Sequence, residues 1–200
     1  MTRDSERIVG LYERHARAFD KDRGRALFEK GWLDRFRALV PPGGSILDLG
    51  CGMGEPIARY LIEAGYALTG VDSSPSMIAF CEGRFPAQTW LVSDMRSLAL
   101  ARRFDGIIAW DSFFHLAHDD QRRMFPVFAM HAAPKAALLF TSGTGHGEAM
   151  GIYQGEPLYH ASLDPVEYRA LLAENGFTGE AHVANDPDCG GHTVWLARRG

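Results

Sequence analysis

Apolar residues recur every three or four positions over residues 4–18, which places Ile8, Leu11, Tyr12 and His15, with Phe19 just beyond, near one face. That spacing predicts a helix whose charges fill the opposite side. A polar break follows at Asp20–Gly24, and then Leu27, Phe28, Trp32, Leu33, Phe36 and Leu39 form the stripe of a second helix, about residues 25–39. Pro41, Pro42, Gly43 and Gly44 end it. Beyond them the pattern changes. Short apolar runs at 45–49, 66–72, 88–92, 104–110 and 136–141 read as strands, separated by helical stripes at about 54–64, 76–83 and 118–133. Such alternation argues for a mostly parallel sheet with helices on both faces. Gly143–Gly155 is glycine-rich, shows little periodicity and reads as a loop. A helix from about Ser162 to Asn175 precedes two closing strands, about 177–183 and 192–197, expected as an antiparallel hairpin at a sheet edge.

Composition narrows the class. The 200 residues are 46% apolar and 23% charged, with a net charge of −4, which is ordinary for a globular domain with a full core. No basic run offers itself to a nucleic-acid backbone. No apolar run approaches the roughly 18 residues of a membrane span, and the polar start, Met1 to Glu6, does not read as a signal peptide. Cys51, Cys81 and Cys189 are widely spaced and make neither a zinc pattern nor a disulfide framework, so reduced thiols and a cytoplasmic location are expected.

The chemistry concentrates after the strands. Ser45–Leu49 stops at Gly50, and Gly52 and Gly54 follow at alternate positions before a helix. A strand, a glycine turn and a helix make a crevice where a ligand can approach the backbone. Asp72 closes the second strand, where a carboxylate can accept both hydroxyls of a ribose. Asp94 closes the third, where it can accept from the amine of a purine while the N–H of Met95 donates to a ring nitrogen. The glycines lack the Gly-x-Gly-x-x-Gly spacing of a dinucleotide site, and Glu55 at the helix start would repel a phosphate. Asp48 and Glu55 suit instead a cationic ligand carrying an amino group and a sulfonium.

Ile46–Gly54, then Gly70–Ser74, then Ser93–Met95, then Phe104–Trp110 together resemble, in order, the motifs of class I S-adenosylmethionine-dependent methyltransferases. The resemblance covers about residues 45 to 140. It implies a Rossmann-like α/β fold with a seven-stranded, mostly parallel sheet, helices on both faces and the last strand antiparallel. It also implies one methyltransferase domain over 1–200, with residues 1–40 as two lid helices and 45–200 as the core. S-adenosyl-L-methionine would be the cofactor. Gly50, Cys51 and Gly52 would approach its methionine part, Asp72 its ribose, Ser73 its adenosine, and Asp94 and Met95 its adenine edge. The carbonyl of Trp110 would face its amino group, and Tyr12, Phe19 and Arg23 would close over the methionine end.

The acceptor is left open. Asp111 and His115 follow the fourth strand and are the candidate proton acceptors, with a packed or capping histidine an equal reading of His115. His146, Tyr153, Tyr159 and His160 flank the glycine-rich segment and read either as pocket lining or as surface. His182, His192, Asp186 and Cys189 form no metal-ligand spacing. The family's amino-methylating Asn/Asp-Pro-Pro-aromatic motif is replaced by Asp111-Ser112-Phe113-Phe114, which speaks against adenine- or glutamine-directed methylation. With the acidic charge and no appended recognition domain, this favours a small-molecule acceptor and a monomer or homodimer. A pocket that binds cofactor without turnover and a nicotinamide-dependent reductase are the competing readings.

Overall fold

The computed structural model describes residues 3–200. Strands β1 (Ser45–Leu49), β2 (Ala67–Asp72), β3 (Thr89–Val92), β4 (Phe104–Ala109), β5 (Ala132–Ser142), β8 (Phe177–Asp186) and β9 (His192–Arg199) form one sheet in the order β3-β2-β1-β4-β5-β9-β8. The first five run parallel, and β9 pairs antiparallel with both β5 and β8. The expected sheet and its reversed last strand are both present. The closing pair differs in one respect: β9 lies inside the sheet, and only β8 is an edge.

Both faces of the sheet are covered, which explains why its strands read as nearly continuous apolar runs. Ile46, Leu68, Ile108, Leu139 and Leu196 point to one side, where α2 (Lys30–Leu39), α3 (Ile57–Glu63) and α4 (Pro75–Arg84) pack. Leu47, Val71, Ile107, Leu138 and Trp195 point to the other, against α5 (His118–His131) and α6 (Pro165–Glu174). Alternate residues of each strand therefore serve two separate cores.

The N-terminal helices divide their work. Helix α1 (Arg3–Asp22) lies over the C-terminal ends of the strands and lines the crevice there with Ile8, Tyr12 and Phe19. Helix α2, expected beside it as a lid, instead buries Trp32, Leu33 and Phe36 on the sheet. It also starts at Lys30 rather than near Arg25. Arg25 is drawn back to the carbonyls of Asp20 and Arg23, and buried Glu29 takes the N-cap position.

The segment read as a loop is largely a hairpin. Strands β6 (Gly147–Tyr153) and β7 (Glu156–Ser162) pair antiparallel in a separate two-stranded sheet. Gln154 and Gly155 form its two-residue turn, with φ of 51° and 80°. Two positive φ values match the twist of a tight hairpin. Tyr168 donates to Gln121 Oε1 at 2.5 Å, and Gln121 donates to the carbonyl of Ala161 at 2.9 Å, which ties the hairpin to α5 and α6. No helix among the described residues is long and apolar enough to cross a membrane.

Candidate active site

The parallel strands β1 to β4 end on one side of the sheet, so the residues after them meet there. At the end of β1 the chain turns through Gly50, Gly52 and Gly54, with φ of 73°, 53° and 79°. The N–H groups of Gly50 and Cys51 both donate to the carbonyl of Val71. A Cβ on Gly50 would sit 2.2 Å from that of Ser112, so only glycine fits. At Gly52 the nearest atom would be Phe19, 3.7 Å away, so this glycine faces the open crevice.

Asp72 stabilises the turn from β2. One oxygen accepts the Gly52 N–H and the other the Ser74 N–H, both at 2.9 Å. Ser74 then caps α4 by accepting from Met77 N. Helix α1 is clamped onto the same corner. Glu13 accepts from the Ser74 hydroxyl at 2.5 Å, the Ser76 hydroxyl at 2.7 Å and the Ser76 N–H at 3.0 Å. Those bonds hold its carboxyl below the usual range. Arg84 adds two 2.7 Å bonds to Asp20. On its other flank α1 meets the hairpin, where Glu156 pairs with Arg14 and accepts from His15, and Tyr153 stacks 6.4 Å from Tyr12.

These elements border two open clefts, of about 790 and 430 Å³ counted to their mouths, which share Phe19, Gly50, Gly52 and Asp111 as lining residues. The larger one is lined by Tyr12, Asp72, Ser73, Asp94, Met95 and His115. The smaller one holds Asp48, Cys51 and Trp110. The cofactor and proton-acceptor candidates singled out in the sequence therefore all line these two adjoining clefts, whereas His146, Tyr153, Tyr159 and His160 line neither.

Their local bonding distinguishes them. Asp48, 4% exposed, is raised to about 7 by burial and then by the charge of Asp72. Burial also raises Asp72, against the N–H groups that bind it. Asp94 is engaged: both its oxygens take bonds from the Arg96 guanidinium and one also takes the Arg96 N–H. Arg96 itself lines the cleft and reaches Asp120 at 3.1 Å. Cys51 lies near Cys81, and burial raises its thiol well above the ordinary value.

His115 is 6% exposed, and its Nδ1 lies 2.8 Å from the carbonyl of Tyr159. A carbonyl only accepts, so Nδ1 carries the proton and Nε2 accepts from the Tyr12 hydroxyl at 3.0 Å. Burial pushes the histidine down to about 4, so the ring is neutral at pH 7. Burial also raises Tyr12, which stays a phenol.

Asp111 has φ of 48°, a left-handed conformation held by its N–H bond to Thr141 Oγ1 at 2.9 Å. Its carboxylate meets Nε2 of His192 at 3.0 Å. His192 stands at the start of β9 and stacks on Trp110, with Phe28 also against it. Sequence reading gave His192 no role. A sequence separation of 81 from Asp111 hides the pairing, which β9's place in the sheet creates. Glu13 was missed for the same reason, since its side chain reaches from α1 to the start of α4.

Residues 46–135 match a family model described as a methyltransferase domain. A putative methyltransferase, YqeM, of Bacillus subtilis (strain 168) is 31% identical over 139 residues, 65% of this chain and 54% of that protein. A dTDP-3-amino-3,6-dideoxy-alpha-D-glucopyranose N,N-dimethyltransferase of Streptomyces fradiae is 28% identical over 137 residues, 68% of this chain and 52% of its own. The chain thus spans about half the length of these curated relatives. Among solved structures, that of a DhpI–SAH complex superposes with a TM-score of 0.77 at 20% identity, covering 98% of this chain and 97% of that one, which is a likeness of fold. The motif order, the sheet topology and the family match agree, and residues 46–135 are similar to a methyltransferase domain.

Proposed function

We propose that this chain binds S-adenosylmethionine in the cleft and transfers its methyl group to a small-molecule acceptor. The observation that carries this reading is the state of Asp72. A carboxylate offers about four lone-pair sites; Gly52 and Ser74 take one on each oxygen, and the Ser73 N–H also bonds to it. The acceptor capacity left over suits a ribose hydroxyl beside a glycine turn that leaves room for it. The rest of the cleft fits the same molecule. Ser73 adjoins the adenosine, and the Met95 N–H meets the adenine edge. Asp94 supports that loop through Arg96, so we give the adenine edge to Met95 rather than to the Asp94 carboxylate. Asp48, the Gly50–Gly52 backbone, Cys51 and the carbonyl of Trp110 surround the methionine end.

When bound, the cofactor supplies an electrophilic methyl on a sulfonium. The chain's part is alignment and exclusion of water, which α1 and the hairpin perform by closing the strand ends. Asp111 and Tyr12 stand where an acceptor enters. His115 holds Tyr12 in place, and a neutral ring with its free nitrogen occupied is a positioning group rather than a base. The amino-sugar dimethyltransferase among the relatives supports a small acceptor.

Calorimetric titration with S-adenosylhomocysteine, S-adenosylmethionine and NADH tests this reading. The first two should bind and NADH should not. Asp72→Asn should weaken S-adenosylhomocysteine at least tenfold, since one charge-assisted bond is worth about 1.5–3 kcal/mol. Binding of NADH alone, or undiminished affinity in the variant, would overturn it.

A further inference from the structure

Resting on that reading, we propose that the acceptor is a primary or secondary amine, received by the Asp111 carboxylate with His192 as its positioning residue. Two independent features of the acceptor wall lead there. The first is hydrogen-bond polarity. The Tyr12 hydroxyl spends its proton on His115, and the Ser112 hydroxyl spends its own on the carbonyl of Leu49 at 2.6 Å. What these side chains present to the cleft is lone pairs: the Tyr12 oxygen and the Asp111 carboxylate. An amine, rich in N–H donors, complements such a wall. A carboxylate acceptor, which only accepts, does not.

The second is charge. Two arginines line the cleft, and each is already matched by acids: Arg23 by Glu29 at 2.9 Å, Arg96 by Asp94 and Asp120. Among the described residues, no cation pairs with Asp48 or Asp72. With Asp48 and Asp72 given to the cofactor, an anionic acceptor finds no unmatched cation here, and a cationic one meets the Asp111 carboxylate. The rings of Tyr12 and Phe19, which meet edge-to-face, add faces that attract ammonium groups.

His192 fixes the carboxylate from behind. Its Nδ1 faces the carbonyl of Cys189 at 2.8 Å and so bears a proton. Its Nε2 faces Asp111, and two lone pairs would repel, so this nitrogen also bears a proton. The imidazolium thus donates at both ends and fixes the Asp111 carboxylate in place, with a third of that side chain still exposed. Glu29, with its partner Arg23, and Cys189 lie within electrostatic reach of the pair, and Tyr12, His115 and His160 lie within reach of Asp111.

The step balances. The entering ammonium gives one proton to the Asp111 carboxylate, and the nitrogen lone pair so freed attacks the methyl carbon. The carbon–sulfur bond breaks with its electron pair going to sulfur, which leaves a neutral sulfide and an N-methylammonium. Product departure returns Asp111's proton to water.

The test uses benzylamine, benzyl alcohol and benzoate, matched in size, titrated into the protein saturated with S-adenosylhomocysteine. Benzylamine should bind at least tenfold tighter than either of the others, and Asp111→Asn should remove that advantage. Asparagine tolerates the left-handed backbone at this position, so the variant should fold, as circular dichroism would verify. His192→Phe, which keeps the stacking but not the donors, should weaken benzylamine several-fold. The ¹⁵N signals of His192 should report an imidazolium at pH 7 in the parent and a neutral ring in Asp111→Asn. Equal or tighter binding of benzoate or the alcohol, indifference of benzylamine to Asp111→Asn, or a neutral His192 in the parent would each overturn the proposal. If S-adenosylhomocysteine binds and benzylamine does not, the amine proposal alone falls. If S-adenosylhomocysteine itself does not bind, the cofactor reading falls and takes the proposal with it.

Discussion

Tyr12 gives its hydroxyl proton to Nε2 of His115, 3.0 Å away, so a helix over the cleft and a turn beneath it are joined by a bond between two neutral rings. The bond persists only while His115 stays unprotonated. The histidine titrates at about 4 when folded and near 6.5 when free. Between those values the unfolded chain takes up a proton that the folded chain refuses. Stability should therefore fall as the pH drops from about 6.5 to about 4, by up to about 1.4 kcal/mol per pH unit from this group. Urea unfolding at pH 7, 6 and 5 should show this slope reduced in His115→Gln. Parallel slopes in parent and variant would refute the assignment.

Asp48 acts in the opposite sense. It is raised to about 7 when folded, so the folded chain holds a proton that the unfolded chain has released. Its contribution to stability is present below about pH 4 and is lost as the pH rises to about 7. Asp48→Asn should flatten that loss. A cationic cofactor should also expel the proton, so calorimetry at pH 6.5 in buffers of different ionisation enthalpy should detect proton release on S-adenosylmethionine binding. Asp48→Asn should show none.

Two glycines two residues apart, Gly50 and Gly52, should respond differently to alanine. Gly50→Ala drives a methyl into Ser112 and should prevent folding. Gly52→Ala meets only an ordinary contact with Phe19 at 3.7 Å and should cost only the left-handed backbone penalty, about 1–2 kcal/mol. The second variant should fold, with its melting temperature lowered by several degrees, yet bind S-adenosylhomocysteine poorly because the added methyl faces the cleft. Normal binding would remove Gly52 from the cofactor wall.

Glu156 joins the hairpin to α1 through Arg14 and His15, which hold its carboxyl down at about 2. Such an exposed pair adds little to stability. Its effect should be kinetic: Glu156→Gln should leave the melting temperature nearly unchanged while S-adenosylhomocysteine dissociates several-fold faster in a stopped-flow displacement. An unaltered off-rate would show that the hairpin does not hold the roof.

The legible parts of this molecule were those whose cause is local. The turn after β1 announces itself because three glycines at alternate positions have few other uses, and Asp72 and Asp111 because an acid closing an apolar run stands out. The β6–β7 hairpin was hidden because Gly147 and Gly151 break its alternation, and because its Met150 and Ile152 stay exposed rather than marking a buried face. The place of α2 was hidden because a stripe of aromatics predicts burial without saying against what. Asp94 was read as free for a ligand because charge in a sequence carries no geometry, and Arg96, two residues on, folds back onto it. His192 needed the order of the strands.

That order also sets when the site can exist. Residues 192–199 leave the ribosome after every other strand of the sheet, yet they must enter between β5 and β8. Until they do, Asp111 lacks its partner and Trp110 the ring stacked on it. The nascent chain can assemble its glycine turn early, but the acceptor wall is completed last, so maturation of the site is a timing event coupled to closure of the sheet.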